Sequence, residues 1–401
     1  MLKGNAVIGQ SGGPTSVINS SLAGVIEGAE VFENVVDVYG MSFGITGLME
    51  DRLFDLSAQS EAVIRGLRST PSSALGSSRY KLDYDDFPRI LDALKKYDIR
   101  YFFLIGGNDT MDTIHRVEMY CREQGYELIG VGIPKTVDND LFGTDHTPGF
   151  PSAARCNALS VLQAGWLARD MQKVDQFVIY QTIGRDAGWL AAATAVVKRK
   201  EDDPPHLIYC PERRFEKEEF LEDAHACIEK YGWVSIVVSE GLLYPDGTPV
   251  SASQTKDAFS NVEFGAMGGA SVGLNVHRML ADATGARGEF QITESLIMSA
   301  IDRASPTDLE EAYQCGREAV KLAAEGVSGY MVAMKRTSSD PYTIEFDKEP
   351  LENVAVRAKA MPEDFINERG NFVTEKALEY LRPLIGEIPE YVELEKKFVK
   401  K

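Results

Sequence analysis

The sequence predicts an α/β protein: two Rossmann-like three-layer α/β/α domains with mostly parallel sheets and a cleft between them, plus a C-terminal extension. Three observations carry this. Short β-rich runs alternate with polar loops and helical patterns, the signature of parallel sheets covered on both faces. The alternation comes in two blocks, about 1–145 and about 175–245, and 401 residues exceed one ordinary core. From Pro341 onward the chain turns charged and less regular. The expected units are 1–148 with about 299–335, then 149–298, then 336–401 as a tail packing on the second unit.

The elements follow in order. "NAVIG" reads as a strand, "QSGGPTS" as its exit loop, and Val17 to Glu30 as a helix with Ile18, Leu22, Val25 and Ile26 on one face. "RYFFLIGG" precedes "NDT" and a helix from about Met111 to Gln124, and "ELIGVGI" precedes "PKTVDND". "QFVIYQT" precedes "IGRDAGW" and an alanine-rich helix over 189–199. "HLIYC" and "VSIVVSEG" repeat the style around an amphipathic helix near 216–231. In such sheets ligands gather beyond the carboxyl ends of the strands, so these exit loops should converge.

Composition bounds the chemistry. Apolar content of 44% and charged content of 26% are those of a soluble globular chain. A formal charge of −19 argues against a nucleic-acid surface, though not against small anions held by local cations. No stretch approaches the roughly 18 uncharged apolar residues of a membrane span, and the N-terminus shows no signal-peptide pattern. Five scattered cysteines with no CxxC pair read as free thiols, so a cytoplasmic location is expected. The five histidines lack metal-ligand spacing, which argues against a zinc hydrolase. A dinucleotide GxGxxG fingerprint and a Walker A loop are both absent.

The exit loops hold the candidate functional residues. Gly12 and Gly13 let backbone approach an anion at a helix N-terminus, or else form an ordinary turn capped by Thr15 or Ser16. Arg79 in "LGSSRY" either forks onto phosphate oxygens or stays solvated. Asn108 and Asp109 offer oxygen ligands suited to Mg²⁺, or Asp109 caps the following helix. "PKTVDND" places Lys135, Thr136, Asp138 and Asp140 within six residues. Phosphoryl transfer needs charge neutralisation and a carboxylate to deprotonate the attacking hydroxyl, and this loop carries both; a structural ion-pair cluster is the alternative. Arg185 in "IGRDAGW" and Glu240 in "SEG" stand at further strand exits, where a carboxylate suits sugar hydroxyls.

Together, "GGPTSVIN", "LGSSRY", "GGNDT", "PKTVDND", "IGRDAGW" and "SEG", in this order, resemble the phosphofructokinase family over roughly residues 1–335. Asp109 and Lys135 stand where ATP-using members typically carry glycine, which points to the pyrophosphate-dependent branch. The resemblance implies reversible, Mg²⁺-dependent transfer from pyrophosphate to the 1-hydroxyl of fructose 6-phosphate. It also implies roles. Asp138 is the base, and Thr136 and Asp140 support the reacting group. Gly12, Gly13, Arg79, Asn108, Asp109 and Lys135 form the donor and metal site. Ile183, Gly184, Arg185 and Glu240, with Thr136 and Asp138, line the acceptor side. A homodimer or homotetramer is the implied assembly.

One segment departs. Met298 and Glu289 stand where the family carries arginines that grip the sugar phosphate, and Gln176 stands where a neighbouring subunit often supplies another. Arg287 and Arg303 are the nearby candidates to replace them. A relative acting on another sugar or sugar phosphate, or a weak regulatory paralogue, is therefore the alternative expectation.

Overall fold

Buried runs of aliphatic and aromatic residues build the first half of the computed structural model, which describes residues 2–251, 271–395 and 397–399. In chain order these elements are β1 (Gly4–Ser11), α1 (Ile18–Ala29), β2 (Val35–Met41), α2 (Ile45–Met49), β3 (Leu53–Asp55), α3 (Glu61–Leu67), β4 (Ser77–Ser78), α4 (Asp86–Lys96), β5 (Ile99–Gly106), α5 (Asn108–Glu123) and β6 (Ile129–Pro134). Strand β5 runs parallel to both β1 and β6. Burial on both faces explains why these strands read as unbroken apolar runs. The chain leaves β1 for β2 on one side and later returns as β5 on the other. That reversal makes the exits of β1 and β5 a topological switch point, where such sheets open a crevice.

The second half comprises α6 (Phe150–Met171), β7 (Phe177–Thr182), α7 (Trp189–Ala193), β8 (Leu207–Tyr209), α8 (Lys217–Tyr231), β9 (Val234–Ser239), α9 (Val272–Thr284) and β10 (Gly288–Ile292). Its four strands are parallel in the order β10-β7-β9-β8. Here the order reverses beside β7, which lies between β9 and β10. The predicted helix over 189–199 is cut short, because a 3₁₀ turn at Thr194–Val197 takes over and Lys198 is extended.

The remaining elements are α10 (Pro306–Ala324), β11 (Tyr330–Ser339), β12 (Tyr342–Pro350), α11 (Leu351–Val356) and α12 (Glu375–Ile385). Helix α10 returns to the first half and lies along α1, with the Ser20 hydroxyl donating to the Leu309 carbonyl at 2.7 Å. The tail expected over 336–401 does not pack wholly on the second half. Strand β11 pairs parallel with β6 and antiparallel with β12, so this hairpin extends the first sheet. The physical reason is the exposed edge of β6, whose backbone groups need partners. Pro341 sits in the hairpin turn, and Tyr342, Ile344 and Phe346 alternate with the more exposed Thr343 and Glu345. The rest of the tail does meet the second half: α12 packs on α6 with Leu381, Leu384 and Ile385 buried. Met361, Phe365, Ile366 and Val373 join its core, and the Ile208 N–H donates to the Asn371 carbonyl at 2.8 Å.

Candidate active site

The exit of β6 is the centre. Lys135 is buried, its backbone N–H donates to the Gly106 carbonyl at 3.1 Å, and its Nζ donates to the Gly13 carbonyl at 2.7 Å. The ammonium thereby bridges the exits of β1 and β6 across β5. Gly12 has φ +77°, and a Cβ there would lie 3.1 Å from Lys135 Nζ, so only glycine leaves this approach open. The Gly12 N–H donates to the Ser78 carbonyl at 3.0 Å, which fixes the Arg79 loop beside it. A Cβ on Gly13 would lie 3.6 Å from both Arg79 Nη2 and Met298 Sδ. Residues more than 200 positions apart thus meet over one pair of glycines.

The carboxylates follow immediately. The Asp138 N–H donates to Thr136 Oγ1 at 3.1 Å. Burial pushes the Asp138 carboxyl up to about 6; Asp140 adds to the rise, while Arg185 and Lys135 oppose it. Burial also raises Asp140, against the Thr136 hydroxyl and the cations Lys359 and Lys135. Burial lowers Lys135 to about 8, although Asp138 favours its charge. One cation and two reluctant anions therefore share a small desolvated volume, an arrangement common where protons and charge must move.

The second half closes the site. Arg185 and Asp186, at the exit of β7, act electrostatically on Asp138. Glu240, at the exit of β9, accepts from the Gly184 N–H at 3.1 Å, and burial pushes its carboxyl up to about 7. Gly241 packs so tightly that a Cβ would meet the Arg185 carbonyl oxygen at 1.6 Å, which locks the two exits together. Ile183 packs its side chain on the second-half core, so any part it plays at the site falls to its backbone.

Asn108 and Asp109 sit differently from expectation. Helix α5 begins at Asn108, three residues before the predicted start, so both lie in its first turn. Asp109 is exposed there, where the helix dipole favours an anion. The Asn108 Nδ2 donates to the Val354 and Arg357 carbonyls, both at 3.0 Å. Those acceptors fix the amide's orientation and leave Oδ1 as the oxygen for a hard cation. No cluster of three or more metal-ligating side chains exists among the described residues. Mg²⁺ takes one or two protein oxygens and completes its shell with phosphate and water; Asn108 Oδ1 and Asp109 are the oxygens this loop offers.

The expected substitutes for the missing arginines are engaged elsewhere. Arg303 donates to Ser160 Oγ and Gln163 Oε1 on α6, and Arg287 pairs with Asp175. Glu289 lies on β10 and accepts from Gln291 Nε2 at 3.0 Å. Gln176 precedes β7, at the end opposite the site, with its N–H donating to the Arg287 carbonyl. Sequence reasoning left Asp186 without a role and missed Lys359. Asp186 adjoins Arg185 and was legible as a strand-exit charge; Lys359 belongs to no local motif.

Two α/β halves whose strand exits focus a buried lysine and paired aspartates on a glycine loop define a phosphotransferase. Residues 5–323 match the family described as Phosphofructokinase, and the chain belongs to that family. It is 39% identical to a pyrophosphate–fructose 6-phosphate 1-phosphotransferase from Halomonas elongata, over 96% of this chain and 92% of that one. It is 34% identical to a sulfofructose kinase from Alkalicoccus urumqiensis, over 90% of this chain and 92% of that one. The crystal structure of a pyrophosphate-dependent phosphofructokinase from Nitrosospira multiformis superposes with a TM-score of 0.88 at 36% identity, covering 98% of this chain and 94% of that one.

Proposed function

We propose that the protein transfers a phosphoryl group reversibly between pyrophosphate and the 1-hydroxyl of fructose 6-phosphate. The observation that carries the reading is Lys135, a buried cation held against the Gly12–Gly13 loop where a diphosphate can replace its bond to the Gly13 carbonyl. On this reading the first half binds the donor through Gly12, Gly13, Arg79 and Lys135, and the second half offers Arg185, Glu240 and the Gly184 backbone to the sugar. Asp138 takes the proton of the 1-hydroxyl as its oxygen bonds to phosphorus. The bridging P–O bond breaks, and orthophosphate leaves. Lys135, Thr136 and Arg79 stabilise charge on the transferring group. Asn108 Oδ1 and Asp109 would hold Mg²⁺, which neutralises donor charge when bound.

Steady-state assay of the purified protein with fructose 6-phosphate, Mg²⁺ and either donor tests this. Fructose 1,6-bisphosphate should form with pyrophosphate; turnover with ATP alone would overturn the donor assignment. The two titrations give kcat/KM a bell shape. Asp138 must be ionised, so activity rises through about pH 6; Lys135 must be protonated, so it falls through about pH 8. A profile flat from about pH 5 to about pH 9 would contradict both assignments.

One observation favours a second reading of the acceptor. Met298 places a thioether beside Arg79 and Gly13, where the family resemblance puts a phosphate-gripping arginine. A dianion without a fork of donors binds poorly, so a sugar with a less charged far end is the alternative. The sulfofructose kinase among the relatives makes a sulfonated fructose the natural second arm of the assay. A kcat/KM for the sulfonate at least about tenfold above that for fructose 6-phosphate would establish it.

A further inference from the structure

The segment between α11 and α12 lies beyond the stretch that matches the family, yet it is stitched to both working loops. Val354 and Arg357 receive the Asn108 amide at the exit of β5. Two residues on, the Lys359 N–H donates to the Asp140 carbonyl at 2.7 Å, and Ala358 forms an antiparallel bridge with Leu141. The Lys359 side chain then folds back under the same loop. Its Nζ donates to Asn139 Oδ1 at 3.2 Å and to the Asp145 carbonyl at 2.6 Å, and it lies 5.0 Å from the centre of the Trp189 ring. Asn139, fully buried, has φ +57°, an uncommon conformation for a residue with a side chain. Holding that residue places Asp138 and Asp140, one on either side of it, toward the site.

We propose that Lys359 is a positioning residue for phosphoryl transfer, clamping the Asp138–Asp140 loop from the C-terminal segment through Asp140, Asn139 and Asp145. A loop with a strained central residue keeps its shape only when its surroundings over-determine it. Lys359 supplies three of those restraints from one residue, and its ammonium also faces the Asp140 and Asp145 carboxylates and Arg336. Burial lowers Lys359 to about 7, against the pull of Asp145 and Asp140. A lysine kept in so costly a place is there for its donors, since a methionine fills the same volume.

The inference rests on the proposed reaction, so the test has one arm with substrates and one without. Lys359→Met and Lys359→Arg are compared with wild type. In the first arm Lys359→Met should lower kcat by about tenfold or more while KM for both substrates stays within about twofold, and Lys359→Arg should recover part of the loss. A purely structural role would not split kcat from KM at an unchanged melting temperature. In the second arm, carboxyl NMR without substrate should show Asp140 titrating about half a pH unit or more higher in Lys359→Met. Should Lys359→Met not fold, Lys359→Gln, which keeps an N–H donor and loses the charge, carries both arms. Wild type inactive on every acceptor tried would count against the reaction alone, and the NMR arm still decides the inference. A folded, uncharged variant with wild-type kcat or an unmoved Asp140 titration overturns it.

Discussion

Asp138→Asn should lower kcat by about 10²–10⁴-fold and leave the melting temperature equal to that of wild type or higher. The loss follows from geometry. Asp138 lies under the fields of Arg185 and Lys135, and of its neighbouring carboxylates Asp140 is engaged by Lys359 and Thr136 while Glu240 accepts from the Gly184 N–H. The stability follows from the sign of the titration. Folding raises the Asp138 carboxyl from 3.8 to about 6, so the folded state prefers it protonated. Stability is therefore given up as pH climbs from about 4 to about 6, and at pH 7 the whole penalty of the buried anion is present. Asparagine keeps the shape and removes the charge. Kinetics beside a thermal melt check both halves of the expectation; a variant that keeps its rate removes Asp138 from the chemistry.

The second large effect belongs to Lys135. Lys135→Met should lower kcat/KM for pyrophosphate by about 10²–10³-fold, with the fructose 6-phosphate KM much less affected. Lys135 is the buried cation between the glycine loop and the aspartates, with its Nζ on the Gly13 carbonyl. Burial makes its charge costly to maintain, and a diphosphate would repay that cost on binding. Lys135→Gly should be as damaging and should not confer use of ATP while Asp109 remains in the first turn of α5. Lys135→Arg should not rescue, because a planar guanidinium is too broad for a place where Gly12 leaves about one atom of clearance. Donor-varied kinetics on these variants decide the point.

Much of the donor side was legible because parallel strands buried on both faces announce themselves. Residues 101–106 and 129–134 are apolar without interruption, so whatever follows them must stand at a sheet edge. The loops at 12–16 and 135–140, and the polar residues that follow Gly107, are therefore locatable from the sequence alone. The start of α5 was not, since Asn108-Asp109-Thr110 looks like a loop until the backbone carbonyls of Val354 and Arg357 tie down its amide. The β11–β12 hairpin was missed for a different reason. Its charged residues alternate with Tyr342, Ile344 and Phe346, and that period of two was read as irregularity. Lys359 was beyond reach because its partners, Asn139, Asp140 and Asp145, are more than 200 residues away in the chain. The meeting of Met298 with Arg79 and Gly13 is of the same kind, a consequence of β10 joining β7 beside the second switch point.

Crystals grown with Mn²⁺ and a non-hydrolysable diphosphate measure the central claim most directly. The diphosphate should lie on the Gly12–Gly13 backbone with Lys135 Nζ and Arg79 on its oxygens, and the anomalous peak should fall within coordinating distance of Asn108 Oδ1 or Asp109. A diphosphate bound away from Lys135, or a metal peak remote from both residues, would contradict the assignment of this crevice as the donor site.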